Sequence, residues 1–315
     1  MIGMLRRFET NNARVIGRHG NVSPVAFFSD RSGYPLIALI IVIGAMLVPA
    51  NLLTSRAMLT ATCAALLIGG LPHGALDLAL LRRNASHRLA LTISLYLGLS
   101  AVMFAAWQAA PALALALFLT MAMTHFAEDW SDAEHPFFAL GIAIALLSAP
   151  TLFHHAAMEK LFVLLTGDAN AAVLADTLLL VAPAAAACAL LAILLLWLGG
   201  HRATAVNAAC ALVAMVMLPP IIGFAIYFCL IHSTTHFRAG LNRLAPATGV
   251  VRLTIVASLG GLGIALALFQ FLPIGDPSSR LFSATFMTLS VLTLPHMAVP
   301  QMLRRLASER RLPPR

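Results

Sequence analysis

Charge is scarce in this sequence. Only 10% of the 315 residues are charged, whereas 60% are hydrophobic, and the mean hydropathy is +0.91. Soluble domains carry about 25% charged residues, so the composition excludes that class of protein. It predicts instead a protein that crosses a membrane several times.

Familiar signatures of catalysis are also missing. The sequence has no P-loop, dinucleotide-binding glycine motif, nucleophile elbow or H-E-x-x-H pair in a workable context. Its four cysteines lie far apart within apolar runs, without C-x-x-C spacing, which is typical of packing residues. The net charge of +8 does not indicate nucleic-acid binding, because the basic residues lie at segment ends and termini and form no aromatic-interleaved patch.

Long apolar runs fill most of the chain. A spanning helix needs roughly 20 apolar residues. Residues 203–237 are too many for one helix and contain Pro219-Pro220, which interrupts helical hydrogen bonding, so we divide them in two. We predict an all-α polytopic transmembrane helix bundle of about ten segments, or nine if 203–237 is one kinked span. The ten are 35–53, 57–81, 89–108, 111–127, 136–155, 171–199, 203–218, 220–237, 251–272 and 281–301.

The distribution of basic residues favours ten segments. With the N-terminus inside, this count places seventeen of the twenty Lys and Arg residues on the cytoplasmic side, as the positive-inside rule expects. Residues 1–33 lack the apolar region of a cleaved signal. We therefore predict a multi-pass protein of the inner (cytoplasmic) membrane. It has a cytoplasmic basic tail at 1–33, one helical domain at 34–302, and a second cytoplasmic basic tail at 303–315; the longest connector is expected at about 156–170.

Five histidines lie inside or at the ends of the predicted membrane segments, where an ionisable group is costly unless it has a task. In the ten-segment arrangement, the segments that carry them all run in the same direction. The histidines lie near the cytoplasmic ends, over a depth of roughly 10 Å at the helical rise per residue. One shared site is therefore geometrically feasible for His73, His125, His232, His236 and His296.

His232 and His236 are spaced i, i+4, so both imidazoles share one helix face and can reach one cation. Neutral imidazole is a ligand for iron, zinc and copper. The alternative is a pair that forms hydrogen bonds with neighbouring helices or lies at the membrane interface.

Asp77 follows His73 by one helical turn on the same face. A carboxylate at this depth is costly unless it is paired, and a common partner is a metal-ligating histidine. Gly70 and Gly74 permit a helix or a substrate to come close, and Pro72 interrupts the hydrogen-bond ladder. A structural Asp–His pair at a kink is the alternative.

His125 and His296 are candidate site residues mainly because they lie at about the same predicted depth as the other histidines. Glu128 and Asp129 follow His125 and border a polar loop, which is typical of solvated charges at the membrane interface. His296 repeats the Pro-His arrangement of Pro72-His73. We interpret it as a hydrogen-bonding partner of the ligands or a substrate-facing residue, in preference to a direct ligand.

These elements together resemble the Brp/Blh family of bacterial and archaeal membrane β-carotene 15,15'-dioxygenases. The resemblance extends over about residues 35–301. It rests on the order and spacing of Pro72-His73-Gly74-Ala75-Leu76-Asp77, Met123-Thr124-His125-Phe126, His232-x-x-x-His236 and Pro295-His296-Met297.

The resemblance implies an oxidoreductase that cleaves the central 15,15' double bond of β-carotene with O2 and releases two retinal molecules. It further implies a non-haem Fe(2+) held by His73, His125, His232 and His236, with Asp77 supporting the ligands and His296 in a less defined role. The implied substrates are O2 and β-carotene or a related carotenoid, taken from the lipid bilayer. No nucleic acid is involved, and the oligomeric state stays open.

A C40 hydrocarbon has no polar group to recognise, so its binding requires a long apolar tunnel reached from the bilayer. Several large apolar residues are close to the histidines in sequence and are candidates to line it. They are Met121, Met123, Phe126, Tyr227, Phe228, Phe237 and Met297.

The sequence leaves three other functions open. A di-iron desaturase or hydroxylase would need more histidines than the five available. An electron carrier would hold a haem between histidines of different helices. A transporter would use His73 and Asp77 as a proton relay, and the break at Pro219-Pro220 is its best support, since broken helices are common at transporter sites.

Overall fold

The computed structural model describes residues 34–84, 89–244 and 249–309, and the regular structure of these residues is entirely helical. The predicted all-α class is confirmed. The N-terminal tail predicted at 1–33 lies outside the described residues, as does 310–315 of the predicted C-terminal tail. Residues 303–309 continue the last helix.

Thirteen α-helices are present in the described part of the chain, with a π-helical turn at Tyr227–His232 and short 3₁₀ turns at Ala127–Trp130 and Ala169–Ala171. In chain order they are α1 Tyr34–Met46, α2 Ala50–Leu53, α3 Arg56–Asn84, α4 Leu89–Ala109, α5 Pro111–Phe126, α6 Pro136–Ser148, α7 Thr151–Thr166, α8 Ala172–Leu198, α9 Arg202–Met217, α10 Pro220–Ile226, α11 Ser233–Leu244, α12 Val250–Phe271 and α13 Pro277–Glu309.

Seven helical stretches in the described ranges are long and apolar enough to cross a membrane, or eight if the bent pair α6–α7 is one span. Each predicted segment coincides with at least part of a helix, but the predicted count of ten spans is not confirmed, because α1 has only 13 residues and α9 only 16. Large apolar side chains such as Leu180 and Leu259 are exposed on the outer faces of α8 and α12. These faces suit contact with lipid, and the chain is a polytopic membrane protein.

The boundaries predicted between 136 and 170 are wrong. Helix α6 ends at Ser148, and α7 begins at Thr151 with a bend of 63°, because Pro150 has no N–H to continue the helix. Helix α7 then runs through most of the expected connector and ends at Thr166, and the next residue, Gly167, has a left-handed φ of 67°. Phe162 and Leu165 of α7 are buried in the main core.

The helix break predicted at Pro219-Pro220 is present. Leu218 is extended, with φ −104° and ψ 160°, and the next helix begins at Pro220. Proline is favoured at a first helical position, since its missing N–H would have no partner there. Helix α10 continues through the π-helical turn into α11, so this break sets where the histidine-bearing stretch starts.

Helices α9 and α10 pack against each other with almost no space between their backbones. A Cβ atom added at Gly223 would lie 2.5 Å from the carbonyl oxygen of Ala214 and 2.9 Å from Cα of Met215. Since backbone atoms cannot rotate away, only glycine fits here. This contact fixes the base of the stretch that carries His232 and His236.

We expect Gly223→Ala to destabilise the protein by about 1–3 kcal/mol, because overpacking against backbone forces the two helices apart. Gly263→Ala in α12 is the matched control, since nothing lies within 4 Å of a Cβ at that position. The measurement is the midpoint of thermal unfolding in detergent. Equal midpoints for the two variants would contradict the close packing.

The start of α13 is tied to the start of α3, at the ends of two candidate membrane spans. Asp276 accepts hydrogen bonds from Ser278 Oγ at 2.7 Å and from Ser279 N at 2.9 Å, and it lies 3.2 Å from Arg56 Nη1. The Ser278 and Ser279 hydrogen bonds, followed by the Arg56 charge, lower the pKa of Asp276 to about 2. Helices α3 and α13, which carry His73 and His296, are therefore joined at one end.

Candidate metal centre

Five imidazole rings from separate parts of the chain meet in the interior of the bundle. His73 lies in α3, His125 near the end of α5, His232 at the end of the π-helical turn, His236 in α11 and His296 in α13. The ring centroid of His232 lies 4.6 Å from that of His236, 4.8 Å from that of His125 and 5.1 Å from that of His73. The His296 centroid lies 5.0 Å from that of His125 and 5.4 Å from that of His73. The structure thus brings together the five histidines that the sequence singled out.

Three of these rings form a compact donor set. His73, His125 and His232 each offer one ring nitrogen, and the three nitrogens lie within 4.8 Å of one another. Metal–imidazole distances of about 2.0–2.1 Å allow two ligand nitrogens to lie up to about 4.2 Å apart. Small side-chain movements would therefore be enough to bring the three onto one ion.

The centre of the cluster contains ring nitrogens with no hydrogen-bond partner among the described residues. They are Nε2 of His232 and both nitrogens of His125. The nearest carboxylate to His125 is that of Glu128, at 3.8 Å from Nδ1, which is too long for a hydrogen bond. Buried polar atoms without partners are costly in a membrane interior. These unpaired nitrogens and their apolar surroundings fit a bound metal ion.

Asp129 sets the orientation of two of the rings. Its carboxylate accepts from His232 Nδ1 at 3.0 Å and from His236 Nε2 at 3.0 Å, and Tyr227 donates its hydroxyl proton to it at 2.6 Å. A histidine held in this way through one nitrogen presents the other to a metal. His232 therefore presents Nε2, whereas His236 has only Nδ1 left for a metal.

The interpretation of Asp129 as a solvated interface charge is wrong, since its side chain is only 1% exposed. Glu128 does match that interpretation, with 55% of its side chain exposed. The chain tightens from α-helix into the 3₁₀ turn Ala127–Trp130, and this turn holds the two neighbouring acids in different environments. The only signal in the sequence was the spacing of four residues from His125.

His73 and His296 are oriented by separate partners. His73 Nδ1 donates to the carbonyl oxygen of Gly70, which leaves Nε2 free for a metal. His296 Nδ1 donates to Asp77 Oδ2 at 2.6 Å. Asp77, which the sequence placed beside His73, is therefore bonded to His296, and its side chain is 8% exposed.

The π-helical turn Tyr227–His232 places aromatic rings around the histidines. The Phe228 ring stacks on His232, with centroids 5.3 Å apart and planes at 20°, and the Phe126 ring meets His232 edge-on at 4.8 Å. A Cβ atom at Gly70 would collide with the Phe228 ring, so glycine permits α3 to approach this turn. Such single π-helical turns occur frequently at functional sites.

An apolar cavity of about 290 Å³ opens beside the cluster, and its lining includes His73, His125, His232 and His296. Of the seven residues predicted to line a tunnel, Phe126 and Phe228 do so. The prediction is wrong for the other five, since residues next to a ligand in sequence point to other helix faces. These five are Met121, Met123, Tyr227, Phe237 and Met297.

The cavity extends to the outer surface of the bundle between α4 and α12. Leu97 in α4 lines it and is 62% exposed, and Gly260 in α12 lines it and is exposed as well. A Cβ atom added at Gly260 would meet nothing within 4 Å. An apolar molecule dissolved in the bilayer would therefore have a lateral route to the histidines.

The buried histidine cluster, opening into an apolar cavity, defines a helical membrane protein with a candidate metal centre. Comparison with known proteins identifies it further: the family model for beta-carotene 15,15'-dioxygenase matches residues 63–304, and the chain belongs to this family. The beta-carotene 15,15'-dioxygenase of uncultured marine bacterium 66A03 is 30% identical over 259 residues, which cover 76% of this chain and 92% of the relative. No solved structure matches the chain. The resemblance inferred from the sequence is confirmed.

Proposed function

We propose that this protein is a dioxygenase that cleaves the central 15,15' double bond of β-carotene with O2 and gives two retinal molecules. The observation that carries the proposal is the histidine cluster at an apolar cavity with a lateral opening, in a chain that belongs to this family. The cavity offers what a hydrocarbon substrate requires, namely apolar contact over its length and a route from the bilayer.

The cluster is proposed to hold Fe(2+). His73 and His232 would bind it through the nitrogens that their hydrogen bonds leave free. His125 would bind it through one of its two unpaired nitrogens, and His236 through Nδ1. Neutral imidazole suits ferrous iron. When bound, the iron supplies the chemistry of O2 activation at the end of the cavity where the polyene lies.

The remaining residues of the site act on the histidines and on the substrate. Asp129 and Asp77 hold three rings by hydrogen bonds of 3.0 Å or less, so that the same nitrogens face the centre at all times. Phe126 and Phe228 give the cavity an apolar wall against the histidines, which excludes water from the reacting bond. His296, held by Asp77, faces the cavity beside the proposed ligands.

We further propose that the protein lies in the inner membrane with both termini in the cytoplasm. The asymmetry of basic residues supports this orientation, since seventeen of twenty fall on one side in the ten-segment arrangement. β-Carotene dissolved in the bilayer would then enter between α4 and α12, past Leu97 and Gly260.

The test is expression in bacteria that accumulate β-carotene. We expect loss of orange pigment and formation of retinal as the only cleavage product, measured by chromatography of the extracted membranes. Protein purified in detergent is expected to lose this activity on chelation of iron and to regain it with Fe(2+) but not with Zn(2+). Longer apocarotenals in place of retinal would contradict central cleavage, and activity after complete chelation would contradict the iron.

A further inference from the structure

A second, smaller cavity of about 70 Å³ lies next to the main one. Its lining side chains are all apolar and come from α5, α6, α7, α9, α10 and α13. The two cavities share three lining residues, which are Phe118, Ala122 and Phe224. Side chains from α5 and α10 therefore lie between the second cavity and the space beside the histidines.

The second cavity continues in a defined direction from the candidate metal centre. Along α5, Ala122, Phe118 and Leu115 precede His125 by three, seven and ten residues, which places all four on one helix face. All three line the second cavity. At the helical rise of about 1.5 Å per residue, Leu115 lies about 15 Å from His125, so the cavity extends along α5 away from the histidines.

The main cavity by itself is small for a C40 substrate. Its volume of about 290 Å³ is at the lower end of the range of about 300–1,000 Å³ found for drug-sized ligands. A carotenoid with two cyclic ends is larger than such ligands. Cleavage at the central bond also requires equal lengths of substrate on both sides of the reacting atoms.

The wall between the cavities consists of aromatic side chains around a small residue. Phe224 stacks on Phe228, with centroids 5.3 Å apart and planes at 16°, and it contacts Phe286 with centroids 5.6 Å apart. Ala122 fills little of the space between Phe118 and Phe224. The two cavities would join if the rings of Phe118 and Phe224 rotated apart.

We propose that the second cavity binds the cyclic end of the carotenoid that lies furthest from the lateral opening, an assignment that rests on the proposed function. One half of the polyene would lie in the main cavity and reach towards Leu97. The other half would pass between Phe118 and Phe224 and end among the apolar side chains of α5 and α7. The depth of this second cavity would then decide which double bond lies beside the histidines.

Leu119→Trp tests this assignment, because Leu119 lines the second cavity and not the main one. Leu117→Trp is the matched control on the same helix, since Leu117 is 46% exposed and lines neither cavity. Activity is measured on iron-loaded protein in detergent with two substrates. These are β-carotene and β-apo-8'-carotenal, which keeps one cyclic end and lacks the other.

We expect Leu119→Trp to lower kcat/KM for β-carotene at least about tenfold, and to leave kcat/KM for the shortened substrate within about twofold of the wild-type value. Leu117→Trp should change neither. Unchanged cleavage of β-carotene by Leu119→Trp would overturn the assignment. Equal loss with both substrates, at unchanged iron content, would overturn it too.

Leu161→Trp, which fills the same cavity from α7, provides a second variant if Leu119→Trp does not fold, and it carries the same expectations. Different outcomes would refute the proposed function and the assignment of the second cavity. Wild-type protein that cleaves neither substrate refutes the function. Wild-type protein that cleaves both, with variants that do not discriminate between them, refutes only the role of the second cavity.

Discussion

Replacement of His232 by Ala is expected to abolish retinal formation and to remove bound iron. His232 is fully buried, its Nε2 has no partner among the described residues, and its ring lies between those of His73, His125 and His236. Loss of a residue that merely supports a ligand lowers activity or metal affinity by about 10–100-fold, so loss of the ligand itself should exceed about 100-fold. Retinal is measured by chromatography, and iron by elemental analysis of purified protein.

His155→Ala is the matched control for this prediction. His155 also lies in a helix, α7, but it pairs with Asp176 at 3.0 Å, outside the five-histidine cluster. We expect this variant to keep its iron and its activity. His232→Gln fills more of the same volume, and it should lose iron as His232→Ala does. Wild-type retinal formation in either His232 variant would refute the assignment of His232 as a ligand.

The membrane helices could be predicted from the sequence because apolar runs of sufficient length have few other uses. The prediction failed at α7, where His154, His155, Glu159 and Lys160 lower the hydropathy of the first turns. Helix α7 nevertheless forms, since its Phe162 and Leu165 are buried in the core. Mean hydropathy over a window of residues does not detect a helix whose first turns are polar.

The five histidines were predictable for a different reason. An imidazole within a membrane segment is costly, so its presence alone marks a site, and the charge distribution placed all five at a similar depth. What the sequence did not reveal is the way in which each ring is held. Asp77 is one turn from His73 but is bonded to His296, which is 219 positions away. Contacts at such separations depend on the packing of helices and leave no local pattern.

The role of Asp129 was even harder to predict from the sequence. Its neighbours Glu128 and Asp132 are polar, so the local sequence resembles a solvated loop. In the structure its carboxylate accepts hydrogen bonds from residues 98 to 107 positions further along the chain. Asp129 is therefore central to the site although its local sequence did not distinguish it. Asp129 accepts from His232 and His236, and Asp77 accepts from His296, so two carboxylates orient three of the five rings.

Asp129→Asn is expected to lower iron affinity by about 10–100-fold, and retinal formation at limiting iron should fall with it. The carboxylate accepts from His236 Nε2 through Oδ1 and from His232 Nδ1 mainly through Oδ2, at 3.0 Å each, and His232 Nδ1 also lies 3.2 Å from Oδ1. An amide has one accepting oxygen, and its NH₂ group faces the other ring. A His232 ring forced to accept at Nδ1 carries its proton on Nε2, and it can no longer bind a metal through that atom.

The affinity is measured by titration of iron-free protein with Fe(2+), and the thermal midpoint is measured in parallel. Asp132→Asn is the matched control, because it removes the same charge three residues later from a carboxylate that accepts from Thr204 outside the cluster. We expect it to bind iron as the wild type does. Tyr227→Phe removes one donor to Asp129 and leaves both histidine bonds, so its effect should be smaller than that of Asp129→Asn.

If Asp129 positions the ligands, a further result is expected. Because the proposed ligands are still present in Asp129→Asn, a large excess of Fe(2+) should restore part of its activity, whereas His232→Ala should stay inactive at any iron concentration. Asp129 would be a purely structural residue if its Asn variant lost thermal stability but bound iron with wild-type affinity. Equal losses of iron affinity in Asp129→Asn and Tyr227→Phe would contradict a change of histidine tautomer, since only the first substitution alters the group to which the imidazoles donate.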